Sequence, residues 1–107
     1  MARAKLDPAA LEQALKTLDG WDLAEDGGSI QRRFTFADFS EAFAFMMRSA
    51  LMAEKLNHHP DWSNVYKTVD VSLSTHDADG VTELDLKLAL AMNGFVGDEP
   101  ARVPLKY

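Results

Sequence analysis

The chain predicts an α+β domain, with helices covering one face of an antiparallel sheet. Three observations carry this expectation. Residues 30–36 and 62–76 alternate apolar and polar side chains with the period of a strand. Residues 8–18, 38–57 and 82–95 repeat apolar side chains at helical spacing. Clusters rich in Gly, Pro, Asp and Ser separate these segments. The resulting order is α-β-β-α-β(β)-α, in a length of 107 residues that suits one domain.

Asp7-Pro8 opens the first helix, with Asp7 as N-cap and Pro8 in the first helical position. Leu6 and Leu11 have the spacing of a hydrophobic staple. Leu11, Leu15 and Leu18 form its apolar stripe, and Gly20 suits its stop. Trp21–Glu25 alternates weakly, Asp26-Gly27-Gly28-Ser29 is a turn, and Ile30–Phe36 alternates clearly, so a β-hairpin follows. The two glycines fit a turn better than a phosphate loop, because the phosphate motif and its helix are missing.

Asp38–Asn57 is the longest helical segment. Its periodicity places Phe39, Phe43, Met46, Ala50 and Ala53 toward the core, with Met47 at the edge. Glu41, Arg48 and Lys55 fall opposite. Phe45, Met52 and Leu56 then lie beside the charged stripe, as a candidate self-association surface. Glu54 and Asn57 fall on the core-facing side, where a carboxylate needs a partner or a polar cavity. Glu54 serves either a site or a neighbouring donor.

Pro60 ends this helix. Beyond it, Val65, Val69, Val71 and Leu73 share one parity, and Tyr66, Thr68, Asp70, Ser72, Ser74 and His76 share the other. Tyr66-Lys67 divides the segment into two strands. Asp77–Gly80 is a turn, and Thr82 with Asp85 has the spacing of a capping box. Leu84, Leu88, Ala91 and Phe95 form the expected inner face of the last helix, which Gly94 and Gly97 end. The tail, Asp98–Tyr107, is expected to be extended.

Eleven Lys and Arg against seventeen Asp and Glu give a formal charge of −6. This balance argues against nucleic acid and against an anionic membrane surface. The absence of cysteine excludes disulfides, thiolate catalysis and iron–sulfur clusters. No apolar run reaches the ~18–20 residues of a membrane span, and no apolar stretch follows the basic N-terminus. A cytoplasmic domain is expected.

Chemistry concentrates in three histidines. His58 and His59 follow the long helix directly, and His76 ends a strand on its polar face. Imidazole exchanges protons near neutral pH. Adjacent residues at a helix end point differently, so His58 and His59 should not share a role. If the strand end lies beside the helix end, His76 joins them with Glu54. A histidine past a helix C-terminus can instead cap free carbonyls. Adjacent histidines chelate a metal poorly, and Asp77–Gly80 lacks the later ligands of a calcium loop. Asp85 reads as a capping residue. No GxSxG, P-loop or GxGxxG is present. The residues alone reach histidine proton transfer without metal or cofactor.

Glu54-Lys55-Leu56-Asn57-His58-His59-Pro60-Asp61-Trp62-Ser63-Asn64-Val65-Tyr66, continuing through Leu73-Ser74-Thr75-His76, Gly80-Val81-Thr82 and Asp85, resembles the signature of the pterin-4a-carbinolamine dehydratases. The resemblance extends from Trp21 through the final helix. It implies a four-stranded antiparallel sheet with three helices on one face, ordered α-β-β-α-β-β-α, as a single domain over residues 1–107. It implies dehydration of 4a-hydroxytetrahydropterin to quinonoid dihydropterin and water, without a cofactor or metal, in support of aromatic amino acid hydroxylation. It implies acid–base roles for His58 and His76, an orienting or binding role for His59, and Glu54 as an imidazole partner. Substrate-binding roles are implied for Trp62, Asp61, Ser74 and Thr75. Homodimers or homotetramers are implied, with a functional link to a hydroxylase. The contrasting expectation is a non-catalytic interaction protein on the same scaffold.

Overall fold

The computed structural model describes residues 4–96; the tail and its Gly97 stop lie outside the described residues. Three helices, α1 (Pro8–Lys16), α2 (Phe39–Leu56) and α3 (Glu83–Val96), accompany four strands, β1 (Asp22–Leu23), β2 (Ile30–Thr35), β3 (Asp61–Val65) and β4 (Thr68–Leu73). The sheet is antiparallel throughout, in the order β1-β2-β4-β3. The helices cover one face. The expected class and element order therefore hold.

Caps set the helix starts. Asp7 accepts the Ala10 N–H, with Pro8 in the first turn, and Asp38 accepts the Glu41 N–H. Strand alternation sets the core. Ile30, Phe34, Val69, Val71 and Leu73 are buried on the helix side, meeting in register as Ile30 with Leu73 and Phe34 with Val69. Gln31, Arg33, Asp70 and Ser72 occupy the open face, where Arg33 and Asp70 pair across the strands at 2.7 Å. Arg32 shares the core parity. Its guanidinium lies 4.3 Å from the Phe34 ring centroid and donates to the Asp19 carbonyl and the Asn93 side chain. Asn93 also accepts from the Trp21 indole at 2.8 Å, tying α3 to the start of β1.

Two expected faces are rotated. In α2 the buried residues are Ala42, Phe45, Ser49 and Ala53, while Phe39, Phe43, Met47 and Leu51 stand 49–70% exposed. Phe45 packs on Phe34 and Phe36 at 4.5 and 5.1 Å between centroids, so Phe45 belongs to the core. Met52 and Leu56 pack against that core as well. The helix carries two apolar stripes; the one with Ala42, Ser49 and Ala53 is buried, and α2 packs on α3. Glu54 consequently faces solvent. In α3 the buried positions are Asp85, Leu88, Ala89 and Met92, and Gly94 lies within the helix.

The hairpin at Tyr66-Lys67 corrects a third expectation. Tyr66 has φ +53°, and Asn64 Nδ2 donates to the Tyr66 and Thr68 carbonyls across the turn. Val65 pairs with Thr68 on the open face and is 75% exposed, although it shares sequence parity with Val69.

Candidate active site

The end of α2 separates the two adjacent histidines. Asn57 adopts the left-handed conformation at φ +52°, and the His58 N–H returns to the Ala53 carbonyl at 3.0 Å. This Schellman-type closure turns the chain back beneath the helix end, and Pro60 prevents its continuation. His58 therefore points inward, and His59 points outward.

His58 is nearly enclosed, its side chain 10% exposed, and its Nε2 bonds to Oδ1 of the fully buried Asp85. The other oxygen of Asp85 accepts from the Thr75 hydroxyl at 2.8 Å and from the Thr82 N–H at 2.9 Å. Asp85 thus fulfils the capping role read from its spacing and also holds an imidazole. His59 meets Glu54 at 2.6 Å, and both side chains are more than half exposed. Each histidine has its own carboxylate, one buried and one in water.

His76 begins a single 3-10 turn, His76–Ala78, closed by Asp79 at φ +56°. Thr75 and Gly80 bridge backbone to backbone on either side, which pins the base of this loop. Thr75 is buried with its hydroxyl committed to Asp85 and Thr82. One residue along the chain, His76 is exposed. The strand end therefore does lie against the helix end, joined through Thr75, Asp85 and His58. Ser74 and His76 line a groove of about 360 Å³ with Ser72 and the hairpin turn at Gly28-Ser29. Asp61 lines a neighbouring groove of about 480 Å³ on the open sheet face, again with Ser72, while half-buried Trp62 pairs with Val71 and packs against the core on the helix side. Among the described residues, no three His, Cys, Asp or Glu side chains converge as a metal-ligand set.

The sequence pattern of the family described as pterin 4 alpha carbinolamine dehydratase matches residues 4–95. The chain belongs to this family. A dehydratase-family relative from Chelativorans sp. (strain BNC1), named "Putative pterin-4-alpha-carbinolamine dehydratase", is 61% identical over 89% of this chain and 97% of its own. One of the same name from Mesorhizobium japonicum is 63% identical over 91% of this chain and 99% of its own. Among solved structures, the transcriptional coactivator/pterin dehydratase of Brucella melitensis superposes with a TM-score of 0.86 at 50% identity, over 87% of this chain and 99% of that one. A pterin dehydratase-like protein described as a RuBisCO assembly factor in the alpha-carboxysome shares the fold, with a TM-score of 0.64 at 19% identity, over 73% of this chain and 90% of that one.

In this dehydratase-family chain, Glu54, the imidazole partner implied by the resemblance, holds His59, and Asp85, expected as a cap, also holds His58. The signal for Asp85 was present in its phase. Asp85 lies three residues before Leu88 and four before Ala89, on the face of α3 that the core fully buries. A buried carboxylate requires donors beyond one backbone N–H.

Proposed function

We propose that this chain dehydrates 4a-hydroxytetrahydropterins, releasing water and leaving quinonoid dihydropterin. The observation that carries the reading is the enclosed His58–Asp85 pair beside the His76 loop, in a chain of the dehydratase family. The elimination removes the proton on N5, forms the N5=C4a double bond and breaks the C4a–O bond. A base at N5 and an acid at the leaving oxygen lower its barrier. His58 and His76 supply those roles. His59, held by Glu54, binds or orients the pterin at the solvent side. Trp62, half-buried on the helix side of the sheet, offers an apolar wall, and Asp61 and Ser74 offer polar contacts from the two grooves. Thr75 acts from below, through Asp85. No metal or cofactor enters these steps.

The reaction is placed in the cytoplasm, downstream of a pterin-dependent aromatic amino acid hydroxylase. The working form is an assembly of identical subunits. Phe39, Phe43, Met47 and Leu51 recur every four residues along exposed α2, which supports a second copy packed there. The same stripe supports the contrasting reading, a scaffold that binds other proteins.

The test is dehydration of carbinolamine generated in situ by a hydroxylase, followed by rapid-mixing ultraviolet absorbance. Acceleration over the spontaneous rate is expected, with loss of ~10²-fold or more in kcat for His58→Ala. A folded protein that gives no acceleration overturns the reading in favour of the scaffold.

A further inference from the structure

Which nitrogen of His58 meets the substrate follows from the hydrogen bonds beneath it. The Thr75 hydroxyl donates to Asp85 Oδ2 at 2.8 Å, since a carboxylate only accepts. With its one proton spent there, Thr75 Oγ1 accepts from Thr82 Oγ1 at 2.7 Å. Thr82 Oγ1 in turn accepts the Leu84 N–H at 3.2 Å, and the Thr82 N–H also donates to Asp85 Oδ2, at 2.9 Å. Two donors therefore converge on Asp85 Oδ2. Its free oxygen, Oδ1, then accepts from His58, so the proton of the neutral imidazole sits on Nε2. Nδ1 makes no hydrogen bond among the described residues.

We propose that Asp85, backed by Thr75 and Thr82, is a positioning unit that holds His58 in its Nε2–H tautomer, so that Nδ1 is the nitrogen that exchanges a proton with the pterin. The proposal rests on the dehydratase reading of this site. It also gives His58 a direction. Neutral His58 presents a lone pair, so it begins as the acceptor and takes the N5 proton onto Nδ1. The N–H electrons form the N5=C4a bond. The oxygen leaves C4a with its bonding pair, takes a proton from the imidazolium of His76 and departs as water. Solvent then removes the proton from His58 and returns one to His76. Asp85 offsets the charge that His58 carries meanwhile. Because Asp85 is anchored in the first turn of α3, this alignment sits on a helix rather than a loop.

Asp85→Asn tests the proposal, because it inverts the tautomer while keeping the shape. The Thr82 N–H can only donate, so the Asn oxygen must face it. The amide nitrogen then faces His58 Nε2, which must accept, and the proton moves to Nδ1. Two readouts follow. In the wild-type protein, ¹⁵N chemical shifts of the neutral His58 ring should show a protonated Nε2 and a bare Nδ1, and Asp85→Asn should reverse them. In the dehydration assay kcat should fall ~10²-fold or more with KM little changed. Thr75→Val, which removes one donor to Oδ2, should keep the tautomer and lower kcat several-fold. Wild-type kcat in a folded Asp85→Asn protein, or a wild-type ring protonated at Nδ1, overturns the proposal. If Asp85→Asn does not fold, the wild-type ring shifts decide alone. These shifts need no turnover, so an inactive wild-type protein would refute the dehydratase reading separately.

Discussion

The phase of α2 makes a sharp, quantitative prediction about two phenylalanines two residues apart. Phe45 is 4% exposed and contacts the rings of Phe34 and Phe36, whereas Phe43 is 51% exposed and touches the ring of Phe39 at the surface. Truncating a buried phenylalanine to alanine costs about 3–5 kcal/mol, because the transfer energy is lost and a cavity remains. Phe43 keeps half its surface in water. Full burial of such a side chain is worth about 1.5–3 kcal/mol, so Phe43→Ala should cost about 1 kcal/mol or less. The assay is urea unfolding at protein concentrations low enough to dissociate any assembly. Phe45→Ala should lose about 3–5 kcal/mol, which for a domain near this size lowers Tm by roughly 4–8 °C per kcal/mol. At high concentration Phe43→Ala should instead reduce the mass seen by light scattering. Equal losses of dilute-limit stability in the two variants, or a larger loss from Phe43→Ala, would refute the assignment of the core stripe.

Ser49 is fully buried in α2, and its hydroxyl has no hydrogen-bond partner among the described residues. An unpaired buried hydroxyl costs about 1–3 kcal/mol, and alanine is the better helix former, so Ser49→Ala should raise stability by about 1 kcal/mol. A fall in the urea midpoint would show that the hydroxyl is used. Arg33 holds the Asp70 carboxyl below the ordinary carboxylate range, through its hydrogen bond and then its charge. The folded pKa is therefore lower than the unfolded one. The pair's contribution is full above the unfolded pKa and is lost as pH falls through the folded value. Both side chains are exposed, so the effect is small and screened by salt. The stability difference between wild type and Arg33→Gln should shrink as pH falls into the acid range; a difference that grows there would contradict this.

Much of the fold is legible in local chemistry. Asp7-Pro8 and Pro60 mark helix ends by capping and by φ restriction, and α1 begins at Pro8 while α2 stops before Pro60. Strand parity places Ile30, Phe34, Val69, Val71 and Leu73 inside without any tertiary knowledge. Parity fails at Val65 because a two-residue turn intervenes and flips the count. Helical periodicity fails for α2 for a different reason. Two apolar stripes compete, and the one containing Ala42, Phe45, Ser49 and Ala53 is buried by tertiary packing, which local periodicity does not specify. Asp85 was half legible. Its spacing from Thr82 announces the cap, but its bond to His58 joins positions 27 residues apart, and only the folded chain supplies that proximity.

The most direct test of the account is the rate of carbinolamine dehydration by the wild-type protein and by His58→Ala, measured side by side in the in situ rapid-mixing assay. The wild-type protein should give clear acceleration, and a His58→Ala protein of unchanged fold should lose it by ~10²-fold or more. Equal rates from the two proteins would contradict this.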